Sequence, residues 1–291
     1  MTWFNAHCHL ELSFLKGEIP PGLPFVEWLQ WVIGARRSLQ NPEVKRNAEQ
    51  IAQQNLQRVV AAETSILYDI DSLGFDLKTP EGMTSIRRYK ELICFRPEHA
   101  RPLVARNLSS LILSPHAPYT VCEALLLGLH PRKSGLRLCL HAAETQEEVD
   151  FLSTGTGELR AYFEDLGVLP PGWKPVGLCP VEYLHLHHLL GPHTLLVHCN
   201  HLKDSEVQLL AKTDTPVVVC PGTHVYFDRG EFPLKRLKDA GVRVYLGTDS
   251  LASNEQLDME REAGLAATLS TDVPLDWILD RIRAERAIEL L

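Results

Sequence analysis

Histidine is the residue type whose positions in this sequence point most directly to chemistry. His7 and His9 are separated by one residue at the end of a short apolar run, residues 3–7. Side chains at positions i and i+2 of a strand point to the same side, so the two imidazoles would converge where the strand ends. Two converging imidazoles make half of a metal site. The alternative interpretation is a chance pair of histidines.

A third histidine is followed closely by a carboxylate. His141 ends the apolar run of residues 136–140, and Glu144 comes three residues later, where it can turn back over the same face. A histidine beside a carboxylate suits a metal ligand next to a general acid or base. In isolation, the segment is better explained by a buried histidine followed by a carboxylate at the start of a helix.

Two further polar residues follow apolar runs nearer the C-terminus. His198 ends the run of residues 194–197, and Asp249 follows Gly247 and Thr248 after the run of residues 242–246. A glycine before a buried aspartate lets the backbone turn tightly. Taken alone, Gly-Thr-Asp-Ser is a common loop sequence and says little.

The elements that must position these side chains are short apolar runs separated by helical patterns. The eight predicted strands are residues 3–7, 58–62, 92–95, 108–113, 136–140, 194–197, 216–220 and 242–246. Uninterrupted apolar runs are typical of strands buried on both faces of a parallel sheet. Helices are predicted at 25–39, 43–56, 145–163 and 234–241, and Asp204 is a predicted N-cap.

The alternation of these strands and helices predicts the fold. Eight strands alternating with helices in one chain of this length indicate an α/β protein with a single (β/α)8 TIM-type barrel, residues 1–291. The two-histidine motif, His141, His198 and Asp249 then fall at the ends of strands one, five, six and eight. Catalytic groups of this fold lie at that end of the strands, and coincidence explains four such placements poorly.

This arrangement resembles the amidohydrolase superfamily along nearly the whole chain. Within it, the sequence resembles the branch of aminohydrolases and chlorohydrolases that includes guanine and S-adenosylhomocysteine deaminases. The stretches that carry the resemblance are NAHCHLE (5–11), SPHAPY (114–119), HAAET (141–145) and GTDSLASN (247–254). Members of this branch commonly add a small β-sandwich built from both chain ends. We expect that sandwich to be missing here, either naturally or because the chain is a truncated form.

The resemblance implies a metal site. His7, His9, His141 and Asp249 would hold one divalent ion per chain. Imidazoles with one carboxylate favour zinc or iron over magnesium. Related barrels with two metals commonly need a bridging carboxylated lysine after strand four, and residues 108–116 contain no lysine, which favours a single ion.

The resemblance also implies the catalytic roles. Glu144 would shuttle protons, His198 would orient the metal-bound water, and His116, after strand four, would contact the substrate. A bound metal lowers the pKa of water to roughly 7, so hydroxide can attack an electron-poor ring carbon that bears an amino group. Asp249 can accept the water proton, and Glu144 can protonate a ring nitrogen and help ammonia leave.

The substrate expectation rests on a narrower resemblance. The stretches NAHCHLELS (5–13), FVEWL (25–29) and PGTHVYF (221–227) resemble aminodeoxyfutalosine deaminases, which implies conversion of aminodeoxyfutalosine to futalosine and ammonia in menaquinone biosynthesis. The open alternatives are another purine, adenosine-type or guanine deaminase and a chlorohydrolase-like amidohydrolase. A non-catalytic metal-binding barrel is the least supported alternative, because all the proton-transfer groups are present.

Three further residues are candidates for substrate binding. The benzoate of such a substrate needs a cation, and arginine binds carboxylates through a bidentate fork. Arg36 and Arg37 end the predicted helix 25–39, although both could equally be solvated charges at a helix end. His224 follows predicted strand seven and would lie at the mouth of the site.

Composition limits the remaining possibilities. The net charge of −8 and the absence of a basic block argue against nucleic-acid binding, since phosphate affinity comes mostly from lysine and arginine. No apolar run reaches the ~18–20 residues that span a bilayer. Seven scattered cysteines without a C-x-x-C pair indicate a reducing cytoplasm. We therefore expect a cytoplasmic enzyme with a small-molecule substrate, and a homo-oligomer is compatible with the sequence.

Overall fold

The strands form the frame that carries the candidate residues. A computed structural model describes residues 2–107, 109–129 and 135–290. Its strands are β1 (Trp3–Cys8), β2 (Thr64–Asp71), β3 (Ser85–Leu92), β4 (Ile112–Pro115), β5 (Arg137–Ala142), β6 (Thr194–His198), β7 (Val217–Val219) and β8 (Val244–Leu246). They form one sheet in chain order, with parallel registers between neighbours. Eight parallel strands with helices between them confirm the predicted (β/α)8 barrel.

Helices occupy most connections between the strands. They are α1 (Phe25–Ser38), α2 (Pro42–Ala61), α3 (Pro97–Asn107), α4 (Glu123–Gly128), α5 (Gln146–Ser153), α6 (Glu158–Asp165), α7 (Pro180–Leu186), α8 (Asp204–Thr213), α9 (Pro221–Tyr226), α10 (Leu234–Asp239), α11 (Met259–Leu269) and α12 (Leu275–Arg281). Short 3-10 helices cover Leu10–Leu15 and Ala284–Leu290. No helix in the described part of the chain is both long and apolar enough to cross a membrane.

The chain divides into two compact units. The first consists of Met1–Arg88, Val219–Lys235 and Tyr245–Leu291, and the second consists of Tyr89–Val218 and Arg236–Val244. In the first unit, α2 packs its apolar face on the strand residue Leu67 and on Leu10. The buried apolar side chains of α2 are Ala48, Ala52, Leu56 and Val59. In the second unit, the strand side chains Leu113, Leu138, Leu196 and Val218 are fully buried.

Two predicted strands are wrong. Residues 58–62 fall at the end of α2 instead of in a strand, because Val59 continues the helical spacing of buried Ala48, Ala52 and Leu56; the strand begins later, at Thr64. Residues 92–95 overlap β3 at Leu92 alone. Most of β3 is a charged stretch, and a strand of this composition does not stand out as an apolar run.

The other predicted elements need smaller corrections. The remaining six predicted strands overlap observed strands, although the predicted start at Leu108 lies outside the described residues. The helix predicted over 145–163 is two helices, α5 and α6, because Gly155 and Gly157 adopt positive φ angles of 72° and 92° between them. Asp204 is the first residue of α8, and Lys203 occupies the N-cap position.

In the first unit, a buried asparagine joins β1 to the segment that follows β8. The Asn5 amide donates to Thr248 Oγ1 at 2.7 Å, and its oxygen accepts from Thr248 N at 3.2 Å. The backbone nitrogens of Thr248 and Asp249 both donate to His7 O at 3.1 Å. These bonds place the start of the Thr248–Asp249 turn directly beside the end of β1.

We predict that Asn5→Ala lowers the free energy of unfolding by about 1–3 kcal/mol, because the buried Thr248 Oγ1 loses its donor and Thr248 N loses one of its two acceptors. Urea denaturation measures this change. Asn55→Ala is the control: Asn55 is also buried, but its amide bonds Ile51 O within one helix, so its loss should be smaller. An equal or larger loss in the control would show that Asn5 has no special role in joining these segments.

Candidate metal centre

The first part of the candidate site lies at the end of β1. His7 and His9 are buried, with 1% and 6% exposure, and their rings stand edge to face at 4.8 Å. The chain after His9 is held by Asp69, whose Oδ1 accepts from Leu10 N at 2.9 Å. Burial raises the pKa of Asp69 well above its ordinary value. The contact between the two rings shows that both imidazoles lie on one side, as the strand periodicity predicts.

Asp249 brings a carboxylate to these imidazoles within the first unit. Its Oδ1 lies 3.6 Å from His7 Nε2 and 3.7 Å from His9 Nε2. These separations are longer than hydrogen bonds. They suit shared ligation, since two ligand atoms each about 2.1 Å from a tetrahedral ion stand roughly 3.4 Å apart. The donor set of two imidazoles and one carboxylate oxygen therefore fits a divalent metal.

The second oxygen of Asp249 has different neighbours. Oδ2 accepts hydrogen bonds from Thr223 Oγ1 at 2.9 Å and from Ser253 Oγ at 3.1 Å. Thr223 and Ser253 are fully buried. Sequence reasoning missed both hydroxyls. The Asp-Ser-x-x-Ser spacing puts Ser253 four residues after Asp249 and offers a weak signal, whereas nothing local connects Thr223 to Asp249.

In the second unit, His141 is the residue suited to ligation. It lies near the end of β5 and is 5% exposed. Its Nδ1 donates to the carbonyl oxygen of His116 at 2.9 Å, because a carbonyl can only accept. In a neutral imidazole this leaves Nε2 without a proton, which is the form that binds metals.

Each unit therefore contains buried histidines of the kind that bind metals. His7 and His9 lie in the first unit, and His141 lies in the second.

The predicted proton-handling residues lie together in the second unit. Glu144 Oε2 is 3.7 Å from His198 Nε2, and both side chains are buried. The His198 ring stacks on the His141 ring, with centroids 5.5 Å apart. Ala143 and His198 have positive φ angles of 50° and 73°, a conformation that non-glycine residues rarely adopt. Such strained backbone is frequent at functional sites.

A buried carboxyl that sequence reasoning missed supports the turn bearing Glu144. Glu148, in α5, is fully buried, and its Oε2 accepts from Glu144 N at 2.8 Å. The backbone nitrogen of Glu148 in turn donates to Thr145 Oγ1 at 3.2 Å. Burial raises the pKa of Glu148 to about 8. The Thr-x-x-Glu spacing, typical of helix starts, was the available signal.

His116 follows β4, as predicted. Its Nδ1 lies 2.9 Å from Thr120 Oγ1, and that hydroxyl donates to Ala117 O at 3.1 Å. Because the only hydroxyl proton of Thr120 is used on Ala117, His116 Nδ1 must be the donor of the first bond. Nε2 of a neutral His116 is then a hydrogen-bond acceptor.

The two arginines of α1 have different surroundings. The Arg36 guanidinium bonds the Ser72 hydroxyl and lies 4.0 Å from Glu11 Oε1, and its side chain is 27% exposed. Glu11 also accepts from the backbone nitrogens of Ser72 and Leu73. Arg37 is exposed. Arg36 is therefore fixed by a buried carboxylate, whereas Arg37 reaches solvent.

His224 lies in α9 and is 1% exposed. Its Nε2 donates to Gly230 O at 2.9 Å, and its ring packs edge-on against Phe232 at 4.9 Å. These contacts hold the ring in place within the first unit, and they fix Nε2 as the protonated nitrogen.

The sequence profile of the Amidohydrolase family matches residues 97–289, which is more than half of the chain. The chain belongs to the amidohydrolase family. The site described above, with histidines and an aspartate at strand ends, agrees with the resemblance seen in the sequence motifs.

Individual relatives are similar over almost the whole chain. A 5′-deoxyadenosine deaminase of Methanothermobacter thermautotrophicus is 30% identical over 91% of this chain and 61% of its own length. An aminodeoxyfutalosine deaminase of Deinococcus radiodurans is 29% identical over 91% of this chain and 66% of its own length. The chain thus spans about three fifths to two thirds of the length of these two relatives.

The fold also matches solved structures. The crystal structure of an adenosine deaminase from Xanthomonas campestris with bound zinc superposes with a TM-score of 0.67 and 23% sequence identity, covering 93% of this chain and 61% of that chain. At this level of identity the similarity concerns the barrel fold.

We predict that Glu148 makes stability fall as pH rises. Its pKa is about 8 in the folded chain against an ordinary value of 4.5, so the folded state binds more protons between these values. The free energy of unfolding should decrease across this window, by at most about 1.4 kcal/mol per pH unit from this group. Glu148→Gln keeps an acceptor for Glu144 N and cannot ionise. The free energy of unfolding of this variant should therefore fall less steeply as pH rises.

Urea titrations from pH 5 to pH 8 measure both slopes. Glu147→Gln, which changes a half-exposed carboxylate one residue earlier in α5, is the matched control and should keep the parent slope. Equal slopes for the parent and Glu148→Gln would contradict the assignment of a raised pKa to Glu148.

Proposed function

We propose that this chain is a metal-dependent hydrolase that deaminates adenine nucleosides. The observation that carries the proposal is the convergence of His7 Nε2 and His9 Nε2 on Asp249 Oδ1, at 3.6 and 3.7 Å in a buried cluster. Such a set of donors is costly to bury unless a cation or a proton compensates the carboxylate. Membership of the amidohydrolase family supports the hydrolytic chemistry.

The residues that would hold the ion are His7, His9, His141 and Asp249. Three neutral imidazoles and one carboxylate suit one zinc or iron ion per chain. When bound, the ion supplies Lewis acidity that brings the pKa of a water molecule to roughly 7. The single-ion proposal agrees with the absence of a lysine in residues 108–116.

The buried pair Glu144 and His198 would handle protons and orient the nucleophile. Deamination forms a bond from water oxygen to the ring carbon and breaks the bond from that carbon to the amino group, releasing ammonia. Asp249 would accept the proton of the attacking water and return it to the leaving amine. Glu144 would give its proton to the ring nitrogen and regain one from the new hydroxyl group as ammonia leaves and the carbonyl forms. His198, 3.7 Å from Glu144, orients the attacking oxygen. The hydrogen bond from Glu144 N to Glu148 Oε2 would hold the backbone from which the Glu144 side chain projects.

The substrate class follows from the relatives. Their names describe deaminases of 5′-deoxyadenosine, aminodeoxyfutalosine and adenosine, which share an adenine on a ribose and differ at the 5′ position. We propose aminodeoxyfutalosine as the substrate, supported by the motif resemblance and by the Deinococcus relative; this would place the chain in menaquinone biosynthesis. The alternative is 5′-deoxyadenosine, favoured by the Methanothermobacter relative.

Substrate contacts complete the proposal. His116 Nε2, an acceptor in the neutral ring, would bind a donor group of the substrate, and His224 would line the mouth of the site. Arg36, held beside Ser72 and Glu11, would be the cation that binds a substrate carboxylate, and Arg37 would be the second cation.

The wider context is also a proposal. Free thiols at all seven cysteines support a reducing cytoplasm. A net charge of −8 supports a small-molecule partner instead of a nucleic acid. We propose that residues 1–291 act as a single hydrolase domain, with a homo-oligomer as a compatible assembly.

We predict that Glu144→Gln retains the metal and loses activity by about 10²- to 10⁴-fold in kcat, because general acid–base groups typically contribute that much. In contrast, His7→Ala and His141→Ala should lose most bound metal. Elemental analysis and ammonia release measure the two properties separately. Glu147→Gln is the matched control and should keep both. An active Glu144→Gln variant, or full metal in both histidine variants, would refute these assignments.

We predict that aminodeoxyfutalosine has the highest kcat/KM in a panel with 5′-deoxyadenosine, methylthioadenosine, S-adenosylhomocysteine, adenosine and guanine. Arg36→Gln should raise KM for aminodeoxyfutalosine more than for 5′-deoxyadenosine, because only the former carries a carboxylate for the guanidinium. A higher kcat/KM for another nucleoside would refute the specific substrate while leaving the deaminase proposal intact. No turnover of any compound by metal-loaded protein would refute the deaminase proposal itself.

A further inference from the structure

We propose that Thr223 and Ser253 are positioning residues that hold Asp249 Oδ2, so that Oδ1 is presented beside His7 and His9 for metal binding. This inference rests on the proposed metal site. The two buried hydroxyls would act on the metal through Asp249.

The number of hydroxyl protons determines which atom donates in each hydrogen bond of this network. A carboxylate only accepts, so Thr223 Oγ1 and Ser253 Oγ each use their single proton on Asp249 Oδ2. Ser253 Oγ can then accept from Ser250 Oγ at 3.2 Å, and Ser250 Oγ accepts from Ala252 N at 3.3 Å. The two hydroxyl oxygens of Thr223 and Ser253 are also 3.2 Å apart, but in this arrangement neither has a proton left for the other.

The position of Thr223 is fixed by the residue before it. Gly222 N donates to Glu262 Oε2 at 2.7 Å, and the Asn254 amide donates to Glu262 Oε1 at 2.7 Å and to Thr248 O at 2.8 Å. A Cβ on Gly222 would lie 2.3–2.5 Å from the Asn254 amide group. Glycine is therefore required for α9 to begin so close to Asn254 and to aim Thr223 at Asp249.

The hydroxyls act on the side chain of Asp249, whose carboxylate could otherwise rotate about its bond to the Cβ atom. Asp249 has a φ of 56° and follows β8 on a tight turn. Two donors on Oδ2 oppose rotation of the carboxylate and leave Oδ1 toward the imidazoles, which favours ligation through one oxygen. Groups that bond metal ligands in this way typically contribute 10- to 100-fold to metal affinity.

A purely structural role would have different consequences. If the hydroxyls only satisfied buried polar atoms of α9, their removal would lower stability without a selective effect on metal binding. A serine at position 223 keeps the hydroxyl and removes the methyl group, so it separates the hydrogen bond from packing.

The test compares zinc affinities of purified apoprotein by competition with a chromophoric chelator, alongside thermal unfolding of the metal-free chains. We expect Thr223→Val to weaken zinc binding about 10- to 100-fold, Ser253→Ala to weaken it in the same direction, and Thr223→Ser to remain near the parent. The control is Thr215→Val: Thr215 is equally buried and its hydroxyl bonds Gly191 N and Thr213 Oγ1, so zinc affinity should stay at the parent value.

The proposal is overturned if folded Thr223→Val and Ser253→Ala both bind zinc as tightly as the parent. It is also overturned if Thr223→Ser weakens binding as much as Thr223→Val, since packing would then explain the loss. If Thr223→Val does not fold, the zinc affinities of Ser253→Ala and Thr215→Val are compared instead. Equal affinities in these two variants would overturn the proposal. A parent chain that binds no zinc or iron would instead refute the proposed metal site.

Discussion

The structure depends on how buried side chains with metal-binding atoms are held in fixed directions. His7, His9, His141 and Asp249 are all buried, and an unpaired carboxylate is expensive to remove from water. Two of these side chains have directional hydrogen-bond partners: a carbonyl accepts the Nδ1 proton of His141, and two hydroxyls donate to Asp249 Oδ2. These hydrogen bonds orient His141 Nε2 and Asp249 Oδ1 without involving an ion.

Buried carboxyls that accept backbone hydrogen bonds are a second recurring feature at the strand ends that carry the site. Three buried carboxyls accept a backbone N–H next to a candidate residue: Asp69 from Leu10 N, Glu148 from Glu144 N, and Glu262 from Gly222 N. Burial raises the pKa of all three, to about 8 for Glu148 and Glu262. Loops after parallel strands have few backbone partners of their own, and these side chains supply acceptors where the chain turns.

The barrel could be predicted, and candidate metal ligands could be proposed, because both depend on local sequence patterns. Apolar runs mark the buried strands, and His7 and His9 are two residues apart on one of them. The errors have equally local causes. Val59 and Val60 look like a strand although they finish a helix, and β3 carries charges that a buried strand seldom has. Arg87, for example, lies over the Tyr68 ring at 4.5 Å and donates to Leu290 O, so its charge has partners within the fold.

The sequence by itself determined the fold class, the residue types at the strand ends and the family, because periodicity and short motifs are properties of neighbouring residues. Only the tertiary structure decided which oxygen of Asp249 faces the imidazoles, that Thr223 bonds the other oxygen, and that Glu262 binds the backbone just before Thr223. These residues lie 26 and 13 positions from Asp249 in the chain. Contacts between them arise when the ends of β7 and β8 and the start of α11 pack together, and no local pattern encodes that packing.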